Sequence, residues 1–263
     1  MSEKIQMGIA CGVNCEPYVK FLIDSVNKTA SNPSSFEYIL GINKFSVNVD
    51  LLKAIGPNVQ VVNAFDSDFG SISHGKCLDA IFGKINSHYG MIVDCDVAFL
   101  QKGWDNTFKA LLNENVIVVG SEYDGNKYMN FPNVVGCFFL TKVLKKLKVS
   151  FAAKIGEMLE IDASNSLIYN RQVGEKILLD VGWEMCYKLK TNNYKGVTLP
   201  LVNRFKEPMC KFIINGMKGV EYQLNGVPMF THAGRSSSRD FFRDENIIKW
   251  RNRVEEWMNE NSI

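Results

Sequence analysis

A chain of 263 residues, 46% hydrophobic and 22% charged, has the length and composition of a folded protein with a sizeable core, and excludes a disordered or low-complexity polymer. Its 30 basic and 28 acidic side chains leave a formal charge of +2, too small and too dispersed for general attraction to nucleic acid or anionic lipid. Seven cysteines, an odd number with no CxxC pair, read as reduced core residues rather than as a disulfide framework or a zinc site.

The opening MSEKIQMGIACGV holds one apolar run of strand length, too short for a signal-peptide core or a membrane span, and no later run is long enough. The expectation is a soluble, cytoplasmic protein without a transmembrane segment. Ile5 to Cys11 reads as a strand closed by a turn at Gly12-Val13-Asn14. Pro17 then fits a first helical turn, with Val19, Leu22, Ile23 and Val26 on one buried face before SNPSS breaks the helix.

Phe36 to Ile42 and Val59 to Val62 read as strands, separated by a short helix through Leu51, Leu52 and Ile55 that ends at Gly56-Pro57. A β-α-β-α-β opening favours a parallel sheet with helices on both faces and ligands at the carboxyl ends of the strands. Cys77, Leu78, Ile81, Phe82 and Ile85 mark another helix, followed by an apolar strand at Met91 to Val93 whose end delivers Asp94, Cys95 and Asp96 to the rim.

Trp104, Phe108, Leu111 and Leu112 predict a further helix, Val116 to Val119 and Val134 to Leu140 two strands around a polar loop from Ser121 to Asn133. Lys142 to Lys148 reads as an amphipathic helix with a solvated lysine face. Val181 to Lys190 is predicted helical, Val227 to Thr231 a late strand, and Ile247, Val254, Trp257 and Met258 the stripe of a C-terminal helix.

Carboxylates two apart at a strand end project to one place and attract a hard divalent cation. Asp94 and Asp96 lie between apolar segments, where two like charges repel strongly unless neutralised, and Mg²⁺ or Mn²⁺ bridging to diphosphate oxygens would neutralise them. A solvated Asp-x-Asp turn is the alternative.

The opening strand with GVNCEP, the stretch SHGKCLDAIFGKINSHYGMIVDCDVAFLQKGW, the later LLDVGWEMCYKLKTNNYKG and finally THAGRSSSRD resemble GT-A glycosyltransferases, particularly family 2. The resemblance implies an α/β GT-A fold: one Rossmann-like α/β/α sandwich with a mixed central sheet over residues 1–263. Residues 1–100 would form the nucleotide-sugar half and 101–263 the acceptor side with its C-terminal helix. It implies Asp96 as principal metal ligand, Asp94 in a supporting metal or donor role, Cys95 in the variable middle position, and His232 as third protein ligand, tilting preference from Mg²⁺ toward Mn²⁺; a core or strand-end histidine without a metal is the alternative for His232.

The donor would be a UDP- or GDP-sugar and the acceptor a glycan or other hydroxyl. Inverting transfer needs a base, for which Asp180 matches the family's acidic motif with Glu184 one turn along; a helix cap is the alternative for Asp180 and a solvent-facing position for Glu184. Ala10, Cys11, Gly12 and Asn14, with Asn43 after the second strand, fall where such enzymes border the nucleotide, or are turns. His74 and Lys76, preceding the predicted helix, would meet the diphosphate or base. Trp104 suits core packing, whereas Trp183 suits either packing or a sugar face.

A sugar nucleotidyltransferase would need a glycine-rich phosphate loop after the first strand, which CGVNCEP does not supply. A retaining transferase, which needs no equivalent base, and a nucleotide- or carbohydrate-binding domain without turnover both stay open.

Overall fold

The computed structural model describes residues 3–42, 47–64, 70–122, 131–157, 170–173, 176–203, 209–214, 216–234 and 239–261. Strands β1 (Ile5–Cys11) and β2 (Phe36–Ile42) are each buried at all but one position, as strands inside a covered parallel sheet must be. Between them α1 (Glu16–Thr29) carries its proline in the first turn and buries Val19, Leu22, Ile23 and Val26. The short helix is α2 (Val49–Lys53), capped by the Asn48 side chain accepting from Leu51 N; Leu52 is buried but Leu51, expected beside it, is exposed.

After β3 (Val59–Asn63), α3 (Ser71–Lys84) and β4 (Tyr89–Asp94) complete a parallel group in which β1 lies between β2 and β4. The chain then passes through β5 (Val97–Phe99) and α4 (Trp104–Leu111) to β6 (Val116–Ser121), β7 (Gly136–Leu140) and α5 (Thr141–Lys146). Helix α5 ends before the predicted run does, and Lys148 takes a left-handed φ of 51°.

Next come β8 (Lys154–Glu157), β9 (Asn170–Val173), β10 (Lys176–Leu179), α6 (Trp183–Thr191), β11 (Lys195–Leu199), β12 (Leu201–Val202), β13 (Val220–Leu224), β14 (Val227–His232) and α7 (Glu245–Glu260). The main sheet runs β11-β6-β7-β4-β1-β2-β3, with β7 antiparallel to both neighbours, so it is mixed and β4 is its centre. One face packs on α1, α2, α4 and α7, the other on α3, α5 and α6, giving three layers.

Two smaller antiparallel sheets, β8-β10-β9 and β12-β13-β14-β5, were not foreseen apart from β14. Their strands are short, and in sequence β5 shows only as an apolar continuation after Asp96. The β13–β14 hairpin did carry a signal: Asn225-Gly226, with φ of 51° and 75°, is the two-residue turn that matches strand twist. None of the seven cysteines forms a disulfide, and six are buried.

A belt at residues 150–153 is clamped between α3 and α6. Asp79 on α3 accepts from Ser150 Oγ and Phe151 N, each at 2.6 Å, while Glu184 on α6 accepts from Ser150 N at 2.6 Å. The Gly182 amide and the Trp183 indole donate to the carbonyls of Phe151 and Ala152, both at 3.0 Å. Charge-assisted bonds from both helices make this a stiff joint.

Gly75 lets α3 approach that belt: a Cβ there would stand 2.7 Å from Ala152 Cα and 2.8 Å from Ala153 N and Phe151 O. Those are backbone atoms that no rotamer change can move. Gly83 on the same helix faces open space. Gly75→Ala is therefore expected to destabilise by about 1–3 kcal/mol and Gly83→Ala to stabilise by about 0.5 kcal/mol, measured by denaturant unfolding. Equal, small effects at both positions would contradict this packing.

Candidate metal and donor site

Strand β4 ends with Asp94 at the carboxyl edge, in register with Ala10 of β1. The chain order turns here: β1 leads to β2 on one side, and β4 returns on the other, opening the crevice that α/β sheets use for ligands. The Asp94 amide donates to Val135 O at 3.0 Å, tying the turn to the segment before β7. Strand β5 then pairs antiparallel with β14, setting His232 opposite Val97, and the Ala233 amide donates to Asp96 O at 3.0 Å.

That register brings His232 Nε2 to 3.2 Å from Asp96 Oδ1 and 3.8 Å from Asp94 Oδ2. One ligand atom from each of Asp94, Asp96 and His232 lies within 4.8 Å of the other two. The Asp96 side chain is only 4% exposed and Asp94 26%, so the acids sit at the mouth of a covered site rather than on a solvated turn.

Burial raises the Asp94 pKa above the ordinary carboxylate range, with Asp96 adding to the rise while His74 and His232 pull it down. For His232 burial alone would lower the pKa, but the charges of Asp96 and Asp94 and the bond to Asp96 outweigh it and raise it to about 9. In the metal-free protein the imidazolium thus holds two acids together.

The donor set fits a divalent cation. An octahedral ion with bonds of about 2.1 Å spaces neighbouring ligand atoms about 3.0 Å apart and opposite ones about 4.2 Å, and the two His232 contacts fall in that range. Two carboxylates with one imidazole suit Mn²⁺ better than Mg²⁺, which prefers an all-oxygen shell.

Of the other predicted residues, Ala10 and Cys11 end β1 beside Asp94, and Cys95 is buried in the turn. Gly12 borders open space, since a Cβ there would meet nothing within 4 Å, and Asn14 is exposed with φ 58°. Asn43 lies outside the described residues. His74 and Lys76 do not precede a helix, as expected, but sit inside α3, whose uncapped start lies farther back. His74 reaches Asp94, Nε2 to Oδ1 at 3.7 Å, and Lys76 is exposed.

Asp180 is not a helix cap. Gly182 occupies that position in α6, and Asp180 Oδ1 accepts from the adjacent Val181 amide at 2.8 Å. Nor does Glu184 face solvent, because it holds the belt and pairs with Lys188 at 2.9 Å. Asp180 does not converge with the three ligand atoms. Its turn joins the belt, which packs against Gly75 beside His74. Trp104 is core, stacked on Phe99 at 3.8 Å, and Trp183 is half-buried against the belt.

Three features escaped sequence reasoning. Asp79 and Ser150 form the joint, although Gly75 and Asp79, four apart on a helix, share one face and hint at backbone contact. Tyr18 lies buried behind Asp96, its hydroxyl donating to Arg239 O at 3.1 Å, with its pKa raised by burial and by Asp96. Ser121 and Asn133 bond each other at 3.1 Å and close the base of the loop beside Val135. Such contacts join residues far apart in sequence, and no local pattern encodes them.

No protein-family model and no curated protein matches the chain. Among solved structures, it is similar to the mannosyltransferase PcManGT from Pyrobaculum calidifontis in complex with GDP-Man and Mn²⁺, at 12% identity and a TM-score of 0.51 over 76% of this chain and 55% of that one. It is also similar to residues 1–349 of S. aureus TarS (15% identity, 56% of this chain and 50% of that one, TM-score 0.43). Glucosyl-3-phosphoglycerate synthase from Mycobacterium tuberculosis follows at 15% identity, 54% of this chain and 58% of its own, TM-score 0.40. This chain spans 55% of the length of the mannosyltransferase. At 12% identity that likeness speaks for the fold alone, and the fold is that of the GT-A glycosyltransferases.

Proposed function

We propose that this chain is a metal-dependent glycosyltransferase that moves a sugar from a nucleoside diphosphate donor to an acceptor hydroxyl with inversion. The observation that carries the reading is the convergence of Asp94, Asp96 and His232 at the crevice between β1 and β4. Asp96 is the principal ligand for Mn²⁺, or less favourably Mg²⁺, with Asp94 and His232 completing the protein's share. A cation bound there offsets the charge of the departing diphosphate. Both halves of the chain serve the site, since His232 comes from the second.

Ala10, Cys11 and Gly12 border the nucleotide, where the open face of Gly12 leaves room for it. Asp180 takes the acceptor proton as the acceptor oxygen bonds to the anomeric carbon and the carbon–phosphate-oxygen bond breaks. Glu184 is the weaker candidate, because its two oxygens hold the Ser150 amide and Lys188. Among the described residues no helix is long and apolar enough to cross a membrane.

Calorimetric titration with UDP and GDP, in Mn²⁺ and in EDTA, tests the donor site: binding of one nucleotide should require the metal and be lost in Asp96→Ala. Metal-independent binding, or none, would overturn it. Asp180→Asn should keep nucleotide affinity while nucleoside diphosphate release in the presence of acceptors falls about 100-fold or more. Unchanged release would remove Asp180 as base and leave a retaining reaction.

The pH dependence has a definite sign. A His232 pKa raised to about 9 means that its pairing with Asp96 and Asp94 contributes stability below its ordinary value and loses it as pH rises through about 9. Mn²⁺ must displace that proton. Its affinity should therefore rise up to about tenfold per pH unit between pH 7 and 9, with one proton released on binding, as calorimetry in buffers of different ionisation enthalpy measures. Affinity independent of pH across that window would contradict the assignment of His232.

A further inference from the structure

His74 stands on the far side of Asp94 from His232. The two imidazoles take opposite oxygens of one carboxylate: His74 Nε2 lies 3.7 Å from Oδ1, and His232 Nε2 lies 3.8 Å from Oδ2. Only the second imidazole belongs to the converging ligand set with Asp96. Oδ2 therefore faces the candidate ion and Oδ1 faces His74, which is the division of labour found where a ligating carboxylate is held by a partner behind it.

The position of His74 is itself fixed. It lies in the first turn of α3, its amide bonded to Gly70 O at 3.0 Å, and the next residue, Gly75, is seated on the belt backbone. Four residues on, Asp79 holds that belt through Ser150 and Phe151. On the sheet side of α3, Cys77 and Ile81 press against Gly41. A ring carried by a helix clamped on two sides is a rigid support, whereas an exposed loop histidine would not be.

We propose that His74 is a positioning residue for the metal centre, donating from Nε2 to Asp94 Oδ1 so that Oδ2 is presented to the cation. Donation requires the 3.7 Å separation to close to hydrogen-bond length. This role differs from a direct contact with the donor diphosphate, and it rests on the reading of Asp94, Asp96 and His232 as metal ligands.

The test is Mn²⁺ binding to the whole chain without nucleotide, followed by electron paramagnetic resonance and calorimetry, in wild type, Asp96→Ala, His74→Ala and His74→Gln, with thermal midpoints recorded for each. We expect His74→Ala to weaken Mn²⁺ about 10- to 100-fold at an unchanged midpoint, and His74→Gln, which restores an N–H donor, to recover most of the loss. Spin-echo spectra of the wild type should show one histidine nitrogen coupled to the ion. Coupling to two histidines would make His74 a ligand and overturn the positioning role. Wild-type affinity in His74→Ala, with Asp96→Ala inactive in binding, would overturn it alone; absence of Mn²⁺ binding to the wild type would overturn the metal reading and this inference with it.

Discussion

The antiparallel pairing of β5 with β14 is the constraint on which the site depends. Three residues after Asp94 the chain enters β5, and the partners Phe230↔Phe99, Thr231↔Ala98 and His232↔Val97 leave no freedom about which residue of β14 stands over the two acids. A slip of one residue would turn His232 to the opposite face, because side chains alternate along a strand. The register is locked from behind: Thr231 Oγ1 donates to Val220 O at 2.8 Å and accepts from the buried Trp250 indole of α7 at 3.1 Å. Phe230 packs between Phe99 and Tyr222. The C-terminal helix is in this sense part of the site, although it contributes no ligand.

Electrostatics alone would push the same site apart. Asp94 and Asp96 converge with the Asp96 side chain almost fully buried, a costly arrangement unless a cation or imidazolium lies among them. Protonated His232 supplies that charge. The scaffold thus holds the acids assembled before a ligand arrives. Ser121, Asn133 and Val135 support Asp94 through the backbone, and buried Tyr18 lies within range of the Asp96 charge.

Much of this was legible in the order of residues. The β-α-β-α-β opening, the central strand ending in Asp94 and the buried stripes of α1 and α3 follow from apolar periodicity, because each is a long element whose pattern is set by one buried face or two. Asp94, Asp96 and His232 were named together only through resemblance to a family, since 136 residues separate the last two and no spacing rule connects them. What stayed hidden depends on tertiary contacts: that His74 belongs inside α3 rather than before it, that Glu184 holds a belt, and that Gly182 rather than Asp180 caps α6. Helix starts are poorly marked when the cap is glycine, as at Gly70, Gly103 and Gly182, because the usual Ser, Thr, Asp or Asn signal is missing. The small sheets escaped because their strands are too short to show a period.

Strand register brings Asp94, Asp96 and His232 together as the proposed cation site. Its most direct test is an anomalous-scattering map, collected at the manganese edge, from crystals grown with MnCl₂ and the bound nucleoside diphosphate. One strong peak is expected within coordination distance of Asp96 Oδ1 and His232 Nε2, with Asp94 beside it and diphosphate oxygens completing the shell. A peak elsewhere, or a nucleotide bound in the crevice with no metal among these three residues, would contradict it.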